Sequence, residues 1–147
     1  MSAKMNEIMR NLGRSDALRL REEAPNLDGT EIIACEVAAP DWKPDKDYSG
    51  WEAGSPVRDE GQVWTLIQPH NAAHYEGRPA TLRALWGLTH TKDPAHAKPW
   101  VDAYGTSGMY MTGECYIDTG GVVHRAKQDN LVYDADALPS AWETVVV

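Results

Sequence analysis

The spacing of apolar positions changes near residue 40. Before it, Met5, Ile8, Met9 and Leu12 recur every three or four residues and make one helical stripe, which Gly13 ends. Ser15 and Asp16 read as a cap for a second short helix over residues 17–24, and Pro25 stops it. Helices this short are marginal alone in water. Their apolar faces therefore predict docking, on the rest of this chain or on another copy or a larger structural protein. Asp28-Gly29 marks a turn, and the run TEIIACEVA at 30–38 predicts a strand.

From Asp41 onward short apolar runs alternate with Gly, Pro, Asp and Asn, the pattern of a small all-β fold. Two windows repeat. Residues 51–71 (WEAGSPVRDEGQVWTLIQPHN) align without a gap on residues 110–130 (YMTGECYIDTGGVVHRAKQDN), at an offset of 110 − 51 = 59. Trp51 falls on Tyr110, Gly54 on Gly113, Val57 on Tyr116, Gly61 on Gly120, Val63 on Val122 and Asn71 on Asn130. A Trp precedes each window (Trp42, Trp100), and a loop containing Pro leads from each to a closing Trp (Trp86, Trp142). Each copy predicts a three-stranded meander. Its central turn needs a positive φ, which Gly61 or Gly120 would supply. The predicted organisation is an N-terminal helical arm and strand over 1–40, one β-module over 41–92 and a second over 93–147.

The composition has six Trp and six Tyr but no Phe. Rings with an apolar face and a polar handle suit surfaces that are half core and half contact. With 14 basic against 22 acidic residues the net charge is −8, which disfavours binding to nucleic acid or to an anionic membrane. No apolar stretch is long enough to span a bilayer, and the first residues carry no signal-peptide core. These features predict a protein made in the cytoplasm without a signal. The two cysteines, Cys35 and Cys115, make neither a metal motif nor a disulfide framework.

The order aromatic-x-x-Gly-x-x-apolar, then Gly, an apolar strand, Pro and a closing Trp resembles the small carbohydrate-binding modules of chitinases, families five and twelve. It is also similar to their relatives repeated in phage and prophage tail proteins. The resemblance covers residues 41–147 in two copies, and the second copy (GTSGMYMTGE running into ECY) is the better match. It implies two small three-stranded modules. It also implies a non-catalytic structural or adhesive protein of a virion or phage-tail-like particle that contacts cell-surface glycan. In chitin-binding members the strand after the second Gly ends in a pair of aromatics that stack on sugar rings. Here that stretch reads TLIQPHN or HRAKQDN, so the pair is missing.

The aromatics left for sugar contact are Trp51, Trp64, Tyr75, Tyr104, Tyr110 and Tyr133, while Trp42, Trp86, Trp100 and Trp142 are assigned to the cores. His70 and His74 lack a third ligand at zinc spacing, so no metal and no cofactor are expected. No nucleophile elbow, carboxylate pair or phosphate loop is recognisable, and no catalytic residue is assigned. The expected partners are virion or tail proteins, cell-surface polysaccharide and further copies of the chain, with a trimer favoured. Two other readings compete: a chitin-type accessory module of a glycoside hydrolase, and a capsid or tail decoration protein that binds no glycan.

Overall fold

The computed structural model describes residues 16–147. The predicted stripe from Met5 to Leu12 lies outside them. The fold is mostly β, with short helices at its N-terminal side and two small sheets. The chain divides into two compact units between Thr89 and His90.

The first unit begins with helix α1, Asp16–Glu23, followed by a 3-10 turn at Ala24–Asn26 that contains Pro25. Next comes helix α2, Gly29–Ala34, and a 3-10 turn at Glu36–Ala38. This corrects the strand expected over 30–38. Asp28 and Glu31 form a capping box: the Asp28 carboxylate accepts the Glu31 N–H at 2.8 Å, and Glu31 accepts the Asp28 N–H at 3.3 Å. Two otherwise orphaned donors are satisfied this way, which outweighs the weak helix preference of Ile32 and Ile33. Both isoleucines are buried with Ala24 against Val63 of the sheet, and Leu20 is buried with Cys35 and Ala39. Gly54 marks a close backbone-to-backbone approach in this unit. Its φ is +98°, and a Cβ there would sit 3.1 Å from the Pro25 Cα, so only glycine fits against the α1–α2 connection.

The first sheet is an antiparallel meander of β1 (Pro56–Asp59), β2 (Gln62–Leu66) and β3 (Trp86–Leu88). Val57 pairs with Trp64, and Leu66 with Trp86. The β1–β2 turn is the two residues Glu60 and Gly61, both with positive φ (52° and 76°), as a hairpin turn matched to strand twist requires. A single parallel bridge, Asp41 to Arg58, lies beside β1. The central strand is buried on both sides. Neighbouring residues point to opposite faces, yet Val63 lies under α2 and Trp64 under the Arg83 guanidinium, 5.2 Å from its ring centre.

The second unit holds a four-stranded sheet in the order β4 (Lys98–Pro99), β5 (Cys115–Ile117), β6 (Val123–Ala126), β7 (Trp142–Val145). Strands β5 to β7 form an antiparallel meander, and β4 adds in parallel beside β5. The sheet thus has one strand more than the three expected. Tyr116 pairs with His124, and Ala126 with Trp142.

The β5–β6 connection departs from the gapless alignment. It is a three-residue loop, Thr119-Gly120-Gly121, in which the positive φ (84°) belongs to Gly121 rather than Gly120. The Asp118 side chain accepts the N–H groups of Gly120 and Val122, both at 2.9 Å. Such loops place a left-handed residue last, where glycine is cheapest. As a result Val123, not Val122, is the buried strand residue, and Val122 is 40% exposed. The matched asparagines also differ in conformation: Asn130 has a φ of 61°, whereas Asn71 caps a 3-10 turn from extended backbone.

Candidate functional site

The core of each unit is a ring cluster, and the clusters decide which aromatics remain available. In the first unit Tyr48 is fully buried. Its ring makes edge contacts with Trp51 (4.7 Å) and Trp86 (5.1 Å), and its hydroxyl accepts the Lys43 N–H at 2.9 Å. His70 lies 6.0 Å from Tyr48 and carries Tyr75 edge-on at 5.4 Å. Trp51 and Tyr75 thus flank one cluster. The Arg21 guanidinium covers Trp51 at 4.5 Å, with the Lys46 ammonium 5.4 Å from the same ring. A ring already holding a cation has less face to give a sugar.

Two expected contact residues are core residues instead. Trp64 is 1% exposed, and its indole N–H points at the Asp59 carbonyl at 3.3 Å. Tyr110 is 2% exposed, stacked between His90 (3.7 Å) and Trp100 (4.8 Å). Neither has a free face, so neither can stack on a ligand. Trp64 is buried because both faces of β2 are covered. Tyr110 is buried because it fills the centre of the second core with Tyr116, Leu131 and Trp142. Tyr75, Tyr104 and Tyr133 are exposed, Tyr104 and Tyr133 by more than half. Trp42, Trp86 and Trp142 are buried as expected, whereas Trp100 is only half-buried.

Trp100 is the residue that sequence reasoning misplaced. Its indole N–H donates to the Asp102 carboxylate at 2.7 Å, which fixes the ring, and it lines a cleft of about 300 Å³. Trp100, Tyr116, Pro99 and Ile117 give the cleft its apolar wall, and Asp118, Asp134 and Asp136 its acidic rim. Tyr116 is held by its hydroxyl, which accepts the Ala135 N–H at 2.9 Å. Burial pushes this phenol above its ordinary value, and the charges of Asp134, Asp136 and Asp118 push it further the same way.

The three carboxylates differ in how they are engaged. Asp118 accepts from His124 at 2.7 Å and from two backbone N–H groups, and these bonds hold it below the ordinary carboxylate range. Asp134 accepts the Ala137 N–H with one oxygen, at 3.0 Å. Asp136 takes no hydrogen bond or ion pair among the described residues. A fixed aromatic wall beside convergent acceptors can hold a small polyol, with ring C–H groups on the apolar side and hydroxyls toward oxygen. The volume is at the lower end for small-ligand sites, enough for one or two six-membered rings.

Other features lie outside this cleft. Among the described residues no group of three or more His, Cys, Asp or Glu is placed to hold a metal ion. His70 and His74 are four residues apart in sequence but not in role. His70 is buried and donates from Nδ1 to the Gln68 carbonyl at 2.8 Å, while His74 is exposed. No helix among the described residues is long and apolar enough to cross a membrane. No protein-family model matches the chain, and no curated protein matches it in sequence.

Proposed function

We propose that this chain is a non-catalytic, carbohydrate-contacting β-module protein that serves as a structural or adhesive part of a phage-tail-like particle. The observation that carries the glycan contact is the Trp100–Tyr116 cleft, where a half-buried, hydrogen-bonded indole meets a rim of carboxylates. The sugar contact belongs to the second unit. In the first, Trp64 is buried and Trp51 lies under Arg21, which favours a purely structural role for that unit.

The two units read as copies of one module. Each meander closes on a Trp strand, and matching bonds recur at matching places. Gly54 N–H donates to Leu66 and Gly113 N–H to Ala126; Ile67 N–H donates to Leu85 and Lys127 N–H to Ala141. The copies differ by one inserted residue in the central turn, so the offset is 59 at Val57 and Tyr116 but 60 at their partners Trp64 and His124. This pattern supports the resemblance to chitinase-type modules. The particle role follows from that resemblance, and the N-terminal residues would supply attachment or trimerisation.

A glycan array combined with light scattering on the same full-length sample tests the reading. A trimer that retains amino-sugar or related glycans is the expected result. A monomer that binds chitin oligosaccharides would move the assignment to an accessory module of a glycoside hydrolase. An oligomer that binds no glycan would leave a decoration protein.

A further inference from the structure

The Trp100–Tyr116 cleft is more acidic than a neutral sugar requires. Of its three carboxylates Asp118 is the most engaged, through its bonds to His124, Gly120 and Val122, while Asp134 gives one oxygen to the Ala137 N–H. The second oxygen of Asp134 and both oxygens of Asp136 meet no donor or cation among the described residues. Two uncompensated carboxylates beside an apolar wall favour a ligand that brings a positive charge. The half-buried Trp100 indole favours the same thing, because an aromatic face attracts a cation. The chain's charge of −8 adds attraction at longer range.

We propose that this cleft is a subsite for a cationic amino sugar, the free-amine hexosamine ring of a deacetylated glycan, in preference to its neutral N-acetyl form. The proposal rests on the glycan reading above and names its ligand class. The apolar ring face lies against Trp100, the half-buried ring of the wall, and the ammonium points to Asp134 and Asp136 as a charge-assisted donor. An N-acetyl group in the same place offers one amide N–H for two carboxylates and leaves the rest of their charge unpaired, with a desolvation cost. A lysine side chain carries the same charge but no flat apolar ring face, so the aromatic wall separates the two.

Calorimetric titration of the full chain with a glucosamine tetramer, an N-acetylglucosamine tetramer and a lysine tetramer tests this at low and raised salt. The glucosamine tetramer should bind about tenfold more tightly than the other two, the size of one charge-assisted contact in a partly exposed site, and the preference should shrink with salt. Asp136→Asn removes no hydrogen bond of the fold, and Asp134→Asn keeps an acceptor for Ala137. The double variant should bind both sugars equally while its circular dichroism stays unchanged. If the N-acetyl tetramer binds as well as the free amine, the amino-sugar inference falls and the glycan reading stands. Equal binding of lysine and glucosamine tetramers would make the cleft a general cation site and also overturn the inference. If neither sugar binds, both readings fall.

Discussion

The turn between β5 and β6 gives the sharpest test of how the second unit is built. A gapless match of the two repeats puts the left-handed residue at Gly120, whereas the structure puts it at Gly121, with φ +84°. Replacing Gly121 by Ala forces a Cβ into left-handed backbone, which costs about 1–2 kcal/mol. Restricting the unfolded chain returns about 0.4–1 kcal/mol. The net loss is therefore about 1 kcal/mol. Gly120→Ala meets no such penalty. Its Cβ would lie 3.3 Å from the Asp118 carboxylate oxygen, a contact that a shift of a few tenths of an ångström relieves. Its entropic gain offsets that strain, and its effect should be near zero. In a domain of this size 1 kcal/mol moves the melting temperature by about 4–8 °C. Thermal unfolding followed by near-ultraviolet circular dichroism would compare the two variants. If Gly120→Ala is the more damaging, the loop is the two-residue turn of the first unit, and the register assigned to β6 is wrong.

Three further outcomes follow from the same geometry. Asp28→Ala removes the capping box on α2 and should cost about 1 kcal/mol in a urea midpoint analysis; a neutral result would indicate that the capping box contributes little. Cys35 and Cys115 are both buried, and burial raises both thiols, so a thiol reagent should label neither in native protein and both in denaturant. Asp118→Asn should destabilise the protein at pH 7. The Asp118 carboxylate is depressed in the fold, so it stabilises above its unfolded value of about 3.9 and that contribution is lost as pH falls through the folded value. The gap between wild type and variant should therefore close in acid, and a gap that persists there would assign the effect to packing.

Much of the β architecture was readable from Gly, Pro and closing-Trp punctuation, because those residues mark turns wherever they occur. Trp86, closing the first meander, and Trp142, closing the second, sit where the pattern placed them. Helix α2 was misread because two adjacent isoleucines suggest a strand, although Asp28 and Glu31 carried the capping signal three residues apart. The turn slip was hidden by two neighbouring glycines, since letters alone do not say which one takes the positive φ. Trp64 was misplaced because alternation exposes every second strand residue only when one face of the sheet is free, and here both faces are covered. The cleft itself escaped notice. Trp100, Tyr116, Asp134 and Asp136 converge from separate segments, and no short motif contains them.

The claim that the second unit contacts sugar through the Trp100–Tyr116 cleft is tested most directly by nuclear magnetic resonance of the full chain, titrated with glucosamine and N-acetylglucosamine tetramers. The account predicts saturable shifts of the Trp100 indole N–H and of backbone amides at 116–118 and 134–136, with the buried indoles of Trp64 and Trp86 unmoved. Shifts confined to the first unit, or none with either sugar, would contradict it.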